Sequence, residues 1–579
     1  MSELHIYFDS KHVSHDRAYL VIPRSRLENI STNCICTESA YPGEALDRLR
    51  VAVQQAFADT RGIFPSLYSR VNDLFYWHYW PLFKTLHVIV EIMKANKFES
   101  IVIHGVISKS YSAFFNKGDE SQPILFFPEF FYPIYFQEAL SPVYPIKIVR
   151  DVPRIVERVL LSKLRNPLIL SVKVGLLMLQ AIKFKMFARP QRGMPADDVA
   201  FVSRGVVNTE YADKFATQVE TTGTKVTIFY DPMIRDVFRR MPTLLGQRGG
   251  RFVHAHQFLT LKNIRSVLAG ALKRVSGYTR TITDGRFLIT ENIGRIFGEH
   301  AMSSVDVALH HLCLKQFLLQ KRPKLLITNE LVTPYLFAHA AAAASADIRC
   351  VTSQAFAFEP IDVVDCFPNN HLFLQSRKLL EAFRKSFPEQ MSKMSYPGDL
   401  GFVEKPDRNV SAEIGAITYF TQPYEPRIHV EIINRLHVRF PRAQLMVKVH
   451  PRDDARPYQN LAGVQCYLSG QRSNAEMLAT SDLVVSRCSS VLHEALAMGV
   501  PYIACTFNEH ELEFNPPYLN SRMPVRVKSI SELEERLGNF EEWRSRFFNA
   551  RSEYIGEIFE PFDASGFLAT ALGLSNSQP

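Results

Sequence analysis

Three short elements in the C-terminal third of the sequence carry side chains suited to holding a nucleotide. Lys448-Val449-His450-Pro451-Arg452 follows an apolar run that reads as a strand. Proline fixes the turn and keeps the residue before it extended, so the imidazole of His450 is held at the strand end. There it can donate to a phosphate oxygen, and Arg452 can add a two-pronged contact. Ser489-Ser490 closes a second apolar run and opens VLHEALAMG. Hydroxyls at a helix start can cap it or hold an anion, because the free N–H groups and the helix dipole favour negative charge. Glu494, in the first turn of that helix, offers acceptor oxygens to ribose hydroxyls. Taken singly, the three have ordinary readings as a strand-end turn, an N-cap and a first-turn acid.

The elements that must position them alternate regularly. AITYFTQP (416–423) reads as strand and loop, and places Thr421 and Gln422 beside the same edge. IHVEIINRLHVRF reads as helix, QLMVKVHP (444–451) as strand and loop, and NAEMLATS as helix. DLVVSRCSS (482–490), VLHEALAMG and VPYIACT (500–506) then give strand, helix and strand. Such alternation predicts a doubly wound parallel sheet, in which ligands bind outside the carboxyl ends of the strands. On that basis residues 411–505 read as one doubly wound domain with its ligand crevice at the loops named above. An earlier series repeats the pattern: VAFVSRGV (199–206), a helix, KVTIFYD (225–231), then KLLITNE (324–330), an alanine-rich helix (335–345) and IRCVTSQ (348–354). Residues 1–190 also read as α/β, with apolar runs at 4–10, 100–107 and 123–131 around a helical stretch at 45–97. PQRGMPADD (190–198) has the composition of a linker. The expected divisions are an N-terminal α/β region at 1–190, either accessory or part of the acceptor domain, and Rossmann-like domains at 196–365 and 366–565.

Taken together, TQP, KVHPR and ATSDLVVSRCSSVLHEALAMGVPYI resemble the C-terminal domain of GT-B glycosyltransferases. They are most similar to the branch that uses CMP- or CDP-activated donors: bacterial sialyl- and polysialyltransferases, capsule Kdo transferases and teichoic-acid polyol-phosphate transferases. Those families share an HP motif and a later Ser-Ser or Ser-Thr motif at the donor's cytidine phosphate, matched here by His450-Pro451 and Ser489-Ser490. The resemblance spans 371–505 well and 320–360 loosely, where Ser353-Gln354-Ala355 stands in place of the relatives' Gln-His-Gly. It implies two facing Rossmann-like domains and a donor site of Thr421, Gln422, Lys448, His450, Pro451, Arg452, Ser489, Ser490 and Glu494. It also implies transfer of a sugar of the sialic acid or Kdo type from CMP to a glycan or glycolipid acceptor in surface polysaccharide synthesis. The nucleotide sugar is then a co-substrate, with no cofactor and no metal, and His450 would stabilise charge on the departing phosphate. Sialyltransferases of this branch place the general base in an acid-acid-glycine motif. The nearest match is Thr283-Asp284-Gly285, one acid short, so Asp284 and the strand-end Glu330 are the candidates, with Asp231 in a similar position. A UDP- or GDP-sugar donor, and a non-catalytic assembly partner of the same shape, are the competing readings.

Composition narrows the partners. With 579 residues the chain exceeds a single core. A net charge of +9 suits an anionic ligand or surface, and the absence of RNP, zinc-finger or basic-zipper patterns argues against nucleic acid. The eight cysteines form no CxxC pair, which favours free thiols over zinc. Asp453-Asp454 are adjacent and form no DxD metal motif. The start MSELHIYFDSKHV has no leader pattern, and no uncharged apolar run reaches about 18 residues, so a cytoplasmic chain is expected. Residues 164–189 are apolar and basic with no acid, a pattern that fits either a packed helix or peripheral contact with the inner face of the cytoplasmic membrane.

Overall fold

The computed structural model describes residues 3–7, 19–21, 26–28, 43–58, 79–105, 133–150, 175, 198–231, 251–272, 279–330, 334–354, 367–402, 414–422, 425–450, 453–468, 471–507 and 516–574. The apolar run at 123–131, the segment 164–189, most of the 190–198 linker and Pro451-Arg452 lie outside these residues.

Three parallel or mostly parallel sheets follow one another along the chain. The first holds β1 (Glu3–Tyr7), β2 (Tyr19–Val21), β3 (Arg26–Glu28), β4 (Ser100–Gly105) and β5 (Ile146–Arg150) in the order β3-β2-β1-β4-β5. The second holds β6 (Val199–Arg204), β7 (Val226–Asp231), β8 (Phe252–His254), β11 (Leu325–Thr328), β12 (Arg349–Ser353), β13 (His371–Phe373) and β14 (Met394–Ser395). Its order is β14-β13-β12-β11-β6-β7-β8. The third holds β15 (Ala416–Phe420), β16 (Gln444–Lys448), β17 (Val464–Tyr467), β18 (Leu483–Ser486), β19 (Tyr502–Cys505) and β20 (Arg526–Val527), in the order β17-β16-β15-β18-β19-β20. Between β8 and β11 lies an antiparallel hairpin of β9 (Thr279–Thr283) and β10 (Leu288–Asn292).

Central strands with helices on both faces must be apolar throughout rather than alternating. That is why LVVS and YIAC are buried at every position. Apolar residues of VAFVSR divide between the two faces of the second sheet: Ala200 and Val202 pack toward Leu314 and Phe317, Val199 and Phe201 toward Phe215 and Phe567. The third sheet buries Ile417, Tyr419, Val485 and Ile503 in a core that extends to Leu372 and Met394 of β13 and β14.

Two connections depart from simple succession. The hairpin β9–β10 joins the core of the first sheet, where Ile282, Phe287 and Ile289 meet Leu4, Ile6, Leu86 and Tyr135. The second sheet takes β13 and β14 from residues 371–395, beyond position 366, where the sequence pattern starts the C-terminal domain. The chain then crosses to the third sheet and returns. Asp399 N–H donates to the Glu560 carbonyl at 2.8 Å, and Asp563 N–H to that of Pro397 at 2.8 Å. The final helix, Ala564–Leu572, packs Phe567 on Phe215 of the second sheet's first helix, with ring centroids 5.0 Å apart. The second and third sheets are thus two Rossmann-like domains in series, closed by a returning C-terminal helix. This is the GT-B architecture, with an additional α/β unit at the N-terminus.

Candidate functional site

In each doubly wound sheet the crevice lies where the strand order reverses. For the third sheet that point is between β15 and β18. Thr421 and Gln422 leave β15, Arg487 to Ser490 leave β18, and Val449-His450 leave the neighbouring β16. The donor-side residues named from sequence within the described part therefore collect on one sheet edge.

The loops are tied to one another. His450 N–H donates to Thr421 Oγ1 at 3.0 Å, which joins the loops after β16 and β15. Ser486 Oγ donates to the Phe420 carbonyl at 2.9 Å across the crevice mouth. Arg487, fully buried, makes an ion pair with Glu425, which itself adopts a left-handed backbone at φ 49°. That pair links the loop after β15 to the loop that carries the serines. Sequence reading missed both partners. The signal for Arg487 was a charged residue in an otherwise apolar strand-end run, and Glu425 had none.

Ser490 occupies the N-cap position of the helix Val491–Met498, yet its side chain makes no capping hydrogen bond. Ser489 contributes its carbonyl, which accepts from Leu492 N–H at 3.1 Å. Both residues are half-buried. The cap expected from sequence is not formed, which leaves the Ser490 hydroxyl available at the positive end of the helix. At the other end Gly499 takes φ 72° and its N–H closes on Leu496 O at 3.2 Å. A left-handed C-cap of this kind is what the glycine of EALAMGVP supplies.

Lys448 and Glu494 are engaged within the fold. Lys448 Nζ donates to the Arg472 carbonyl at 2.8 Å and to Asn474 Oδ1 at 2.6 Å. Asn474 Nδ2 in turn reaches Glu494 Oε1 at 3.5 Å. Burial raises the Glu494 carboxyl, against the opposing pull of Lys214 and the Asn474 hydrogen bond. Lys214 belongs to the second sheet's helix Gly205–Glu220, so its field acts on Glu494 from the other domain. Gln422 is buried, and its N–H donates to His429 Nε2 at 3.3 Å.

At the second sheet the order reverses between β6 and β11. Arg204 ends β6 and pairs with Glu330, just past β11, at 3.3 Å. Asp231 ends β7 and its Oδ2 lies 2.6 Å from His310 Nδ1. The contacts continue inward, His310 Nε2 to His339 Nε2 at 2.8 Å and His339 Nδ1 to Thr328 Oγ1 at 2.6 Å. Burial, reinforced by His310 and Arg204, keeps the His339 ring neutral.

Asp284 lies elsewhere, in the tight turn of the β9–β10 hairpin. It is fully buried; Oδ1 accepts from Arg286 N–H at 2.9 Å and Phe287 N–H at 2.8 Å, and Oδ2 lies 2.7 Å from His87 Nε2. Gly285 follows at φ 92°, and a Cβ there would lie 2.6 Å from Arg48 Nε. Burial alone would raise the Asp284 carboxyl, but the His87 contact and the two backbone donors outweigh it and hold it below the usual carboxylate range. This geometry shapes a turn and locks it to the helix Trp80–Ala95. Asp284→Asn is expected to destabilise the N-terminal unit by about 2–3 kcal/mol at neutral pH, as for a charged hydrogen bond lost from the interior. Because the folded pKa is depressed, the stabilisation is present above the unfolded value and is lost as pH falls through the folded one. Urea unfolding at pH 7 and at progressively lower pH should show the gap between variant and wild type closing. A constant gap would remove the charge from the argument.

Among the described residues no helix is long and apolar enough to cross a membrane, and no group of His, Cys, Asp and Glu is arranged to hold a metal ion. The described cysteines, 313, 350, 466, 488 and 505, are free thiols.

No protein-family profile matches the chain, and no curated protein matches it. Several solved structures are similar in arrangement. UDP-GlcNAc 2-epimerase from Neisseria meningitidis, bound to UDP-GlcNAc, aligns at a TM-score of 0.41 with 10% identity, over 65% of this chain and 100% of its own. MurG from Acinetobacter baumannii aligns at 0.38 with 11% identity, over 65% and 100%. A glycosyltransferase from Rickettsia africae aligns at 0.38 with 11% identity, over 66% and 99%. Likeness at this level assigns no activity to the chain.

Proposed function

We propose that the chain is a metal-independent glycosyltransferase that moves a sugar from a CMP-activated donor to a glycan or glycolipid acceptor in surface polysaccharide synthesis. The observation that carries this reading is the convergence of the His-Pro and Ser-Ser motifs. They are some forty residues apart in sequence, yet leave β16 and β18 on either side of β15, with Thr421 and the Arg487–Glu425 pair bracing the loops between them. A donor phosphate in that crevice would meet the uncapped Ser490, the helix N–H groups behind it, and the His450 imidazole. Preorganised donors of this kind stabilise charge as it develops on a leaving phosphate. They require no metal ion.

On this reading Glu494 accepts from the ribose, Thr421 and Lys448 hold the loops in place, and Arg452 adds a charged contact. The acceptor enters from the second sheet, where Glu330 and Asp231 supply carboxylates at the strand ends. The buried turn around Asp284 makes it a stabilising residue of the N-terminal unit. The excess of basic residues suits an acidic glycan or an anionic lipid surface as the acceptor's setting.

Thermal unfolding with nucleotides tests the donor. A ligand that binds the native state stabilises it by about 2.7 kcal/mol at a hundredfold excess over its Kd. CMP and CDP should raise the apparent melting temperature, and UDP and GDP should raise it less. A preference for UDP or GDP, or no response to any of the four, overturns the cytidine assignment.

A further inference from the structure

The carboxyl edge of the second sheet holds a buried side chain that the fold leaves unanswered. Asn329 is the first residue beyond β11 and is 5% exposed. Among the described residues neither its Oδ1 nor its Nδ2 has a hydrogen-bond partner. The Nε of Arg204, at the adjoining end of β6, also lacks one. Leaving a buried polar group unsatisfied costs about 1–3 kcal/mol, and a native fold retains such a group for a reason.

The position supplies the reason. β11 and β6 pair in parallel, Thr328 with Val202, and the strand order reverses between them, which is where an open α/β sheet receives its ligand. Strand residues alternate between faces. Thr328 turns to His339, and Glu330 to Arg204. Asn329, between them, is at the register level of Ser203 and Ser353 on the neighbouring strands. Ser353 is already engaged by the Tyr211 hydroxyl at 3.0 Å. The amide is thus the open member of a polar row that is otherwise paired.

We propose that Asn329 is an acceptor-binding residue, its amide hydrogen-bonding a pair of saccharide hydroxyls at the β6–β11 crevice. A side-chain amide offers an acceptor oxygen and two N–H donors, the complement of two hydroxyls that each both donate and accept. Glu330 neutralises Arg204, so the mouth of the crevice favours uncharged hydroxyls over an anion. This inference rests on the transferase reading. The nucleotide occupies the third sheet, which leaves the second sheet to the acceptor.

The test uses the full chain with CMP present and two probes, methyl β-galactoside and methyl β-N-acetylglucosaminide, followed by saturation-transfer NMR. At least one glycoside should bind the wild type, and Asn329→Ala should weaken it about tenfold or more, the worth of one to two good hydrogen bonds. In parallel, unfolding of the ligand-free Asn329→Ala protein should occur at the wild-type temperature or above it, because no native bond is removed. The CMP shift should be unchanged. Three results overturn the proposal: a variant that binds the glycoside as the wild type does, a variant that melts several degrees lower, or a CMP-responsive wild type that binds neither probe. A wild type with no CMP response counts against the CMP-donor reading and is scored apart from the glycoside arm.

Discussion

Replacing Arg487 with methionine is expected to cost the C-terminal domain about 3–5 kcal/mol and to remove its response to CMP. Arg487 has no exposed side-chain surface, and its partner Glu425 is only slightly exposed. Removing the guanidinium leaves a carboxylate buried without its counter-charge, which is far more costly than never having built the pair. The damage is directed as well as large. Glu425 closes the loop after β15 and precedes the helix Pro426–Arg439, while Arg487 precedes Ser489-Ser490. Loss of the pair releases both walls of the crevice at once. The double variant Arg487→Met, Glu425→Gln should recover part of the stability, since no unpaired charge remains, but should not recover nucleotide binding. Urea unfolding combined with CMP thermal shifts measures both quantities. A single variant within about 1 kcal/mol of wild type, a typical surface-pair effect, would show that the pair does not brace the crevice.

That brace also marks the limit of what the sequence could reveal. The runs AITYF, LVVS and YIAC are legible as strands because a sheet covered on both faces demands continuous apolar residues, and the demand is local. Strand-end loops and the His-Pro and Ser-Ser motifs follow from it, since each lies directly after such a run. The Arg487–Glu425 pair joins residues 62 apart, and the Asp284–His87 contact joins residues 197 apart. No spacing rule encodes either. Thr283-Asp284-Gly285 has the residue types of both a catalytic motif and a hairpin turn. Only burial of Ile282, Phe287 and Ile289 in the first core separates the two. β13 and β14 have three and two residues, too few to show a period, so the second sheet extends beyond the point where its pattern fades. Lys448 illustrates a different limit. A lysine at a strand end suits a phosphate, yet here its ammonium holds the Arg472 carbonyl and Asn474, a loop contact with no sequence signature.

His450→Ala is expected to lower turnover of a CMP-sugar by about a hundredfold or more, measured as nucleotide release with and without acceptor. His450 is anchored through its main chain. Its backbone N–H is fixed on Thr421 Oγ1, and Thr421 N–H in turn donates to the Lys448 carbonyl at 3.1 Å, so the loops after β15 and β16 hold each other. This fixes the main chain that carries the ring before any nucleotide arrives, and a hydrogen-bond donor that needs little reorganisation is worth most when charge develops on the phosphate. The effect should therefore appear in kcat more than in KM, because the interaction strengthens as the nucleotide departs. Thr421→Val keeps the ring and loosens its mount, and should give a smaller loss of the same kind. If His450→Ala raises KM alone, the histidine binds the donor without stabilising its departure. If both variants retain wild-type turnover, the crevice between β15 and β18 is not where the bond is broken.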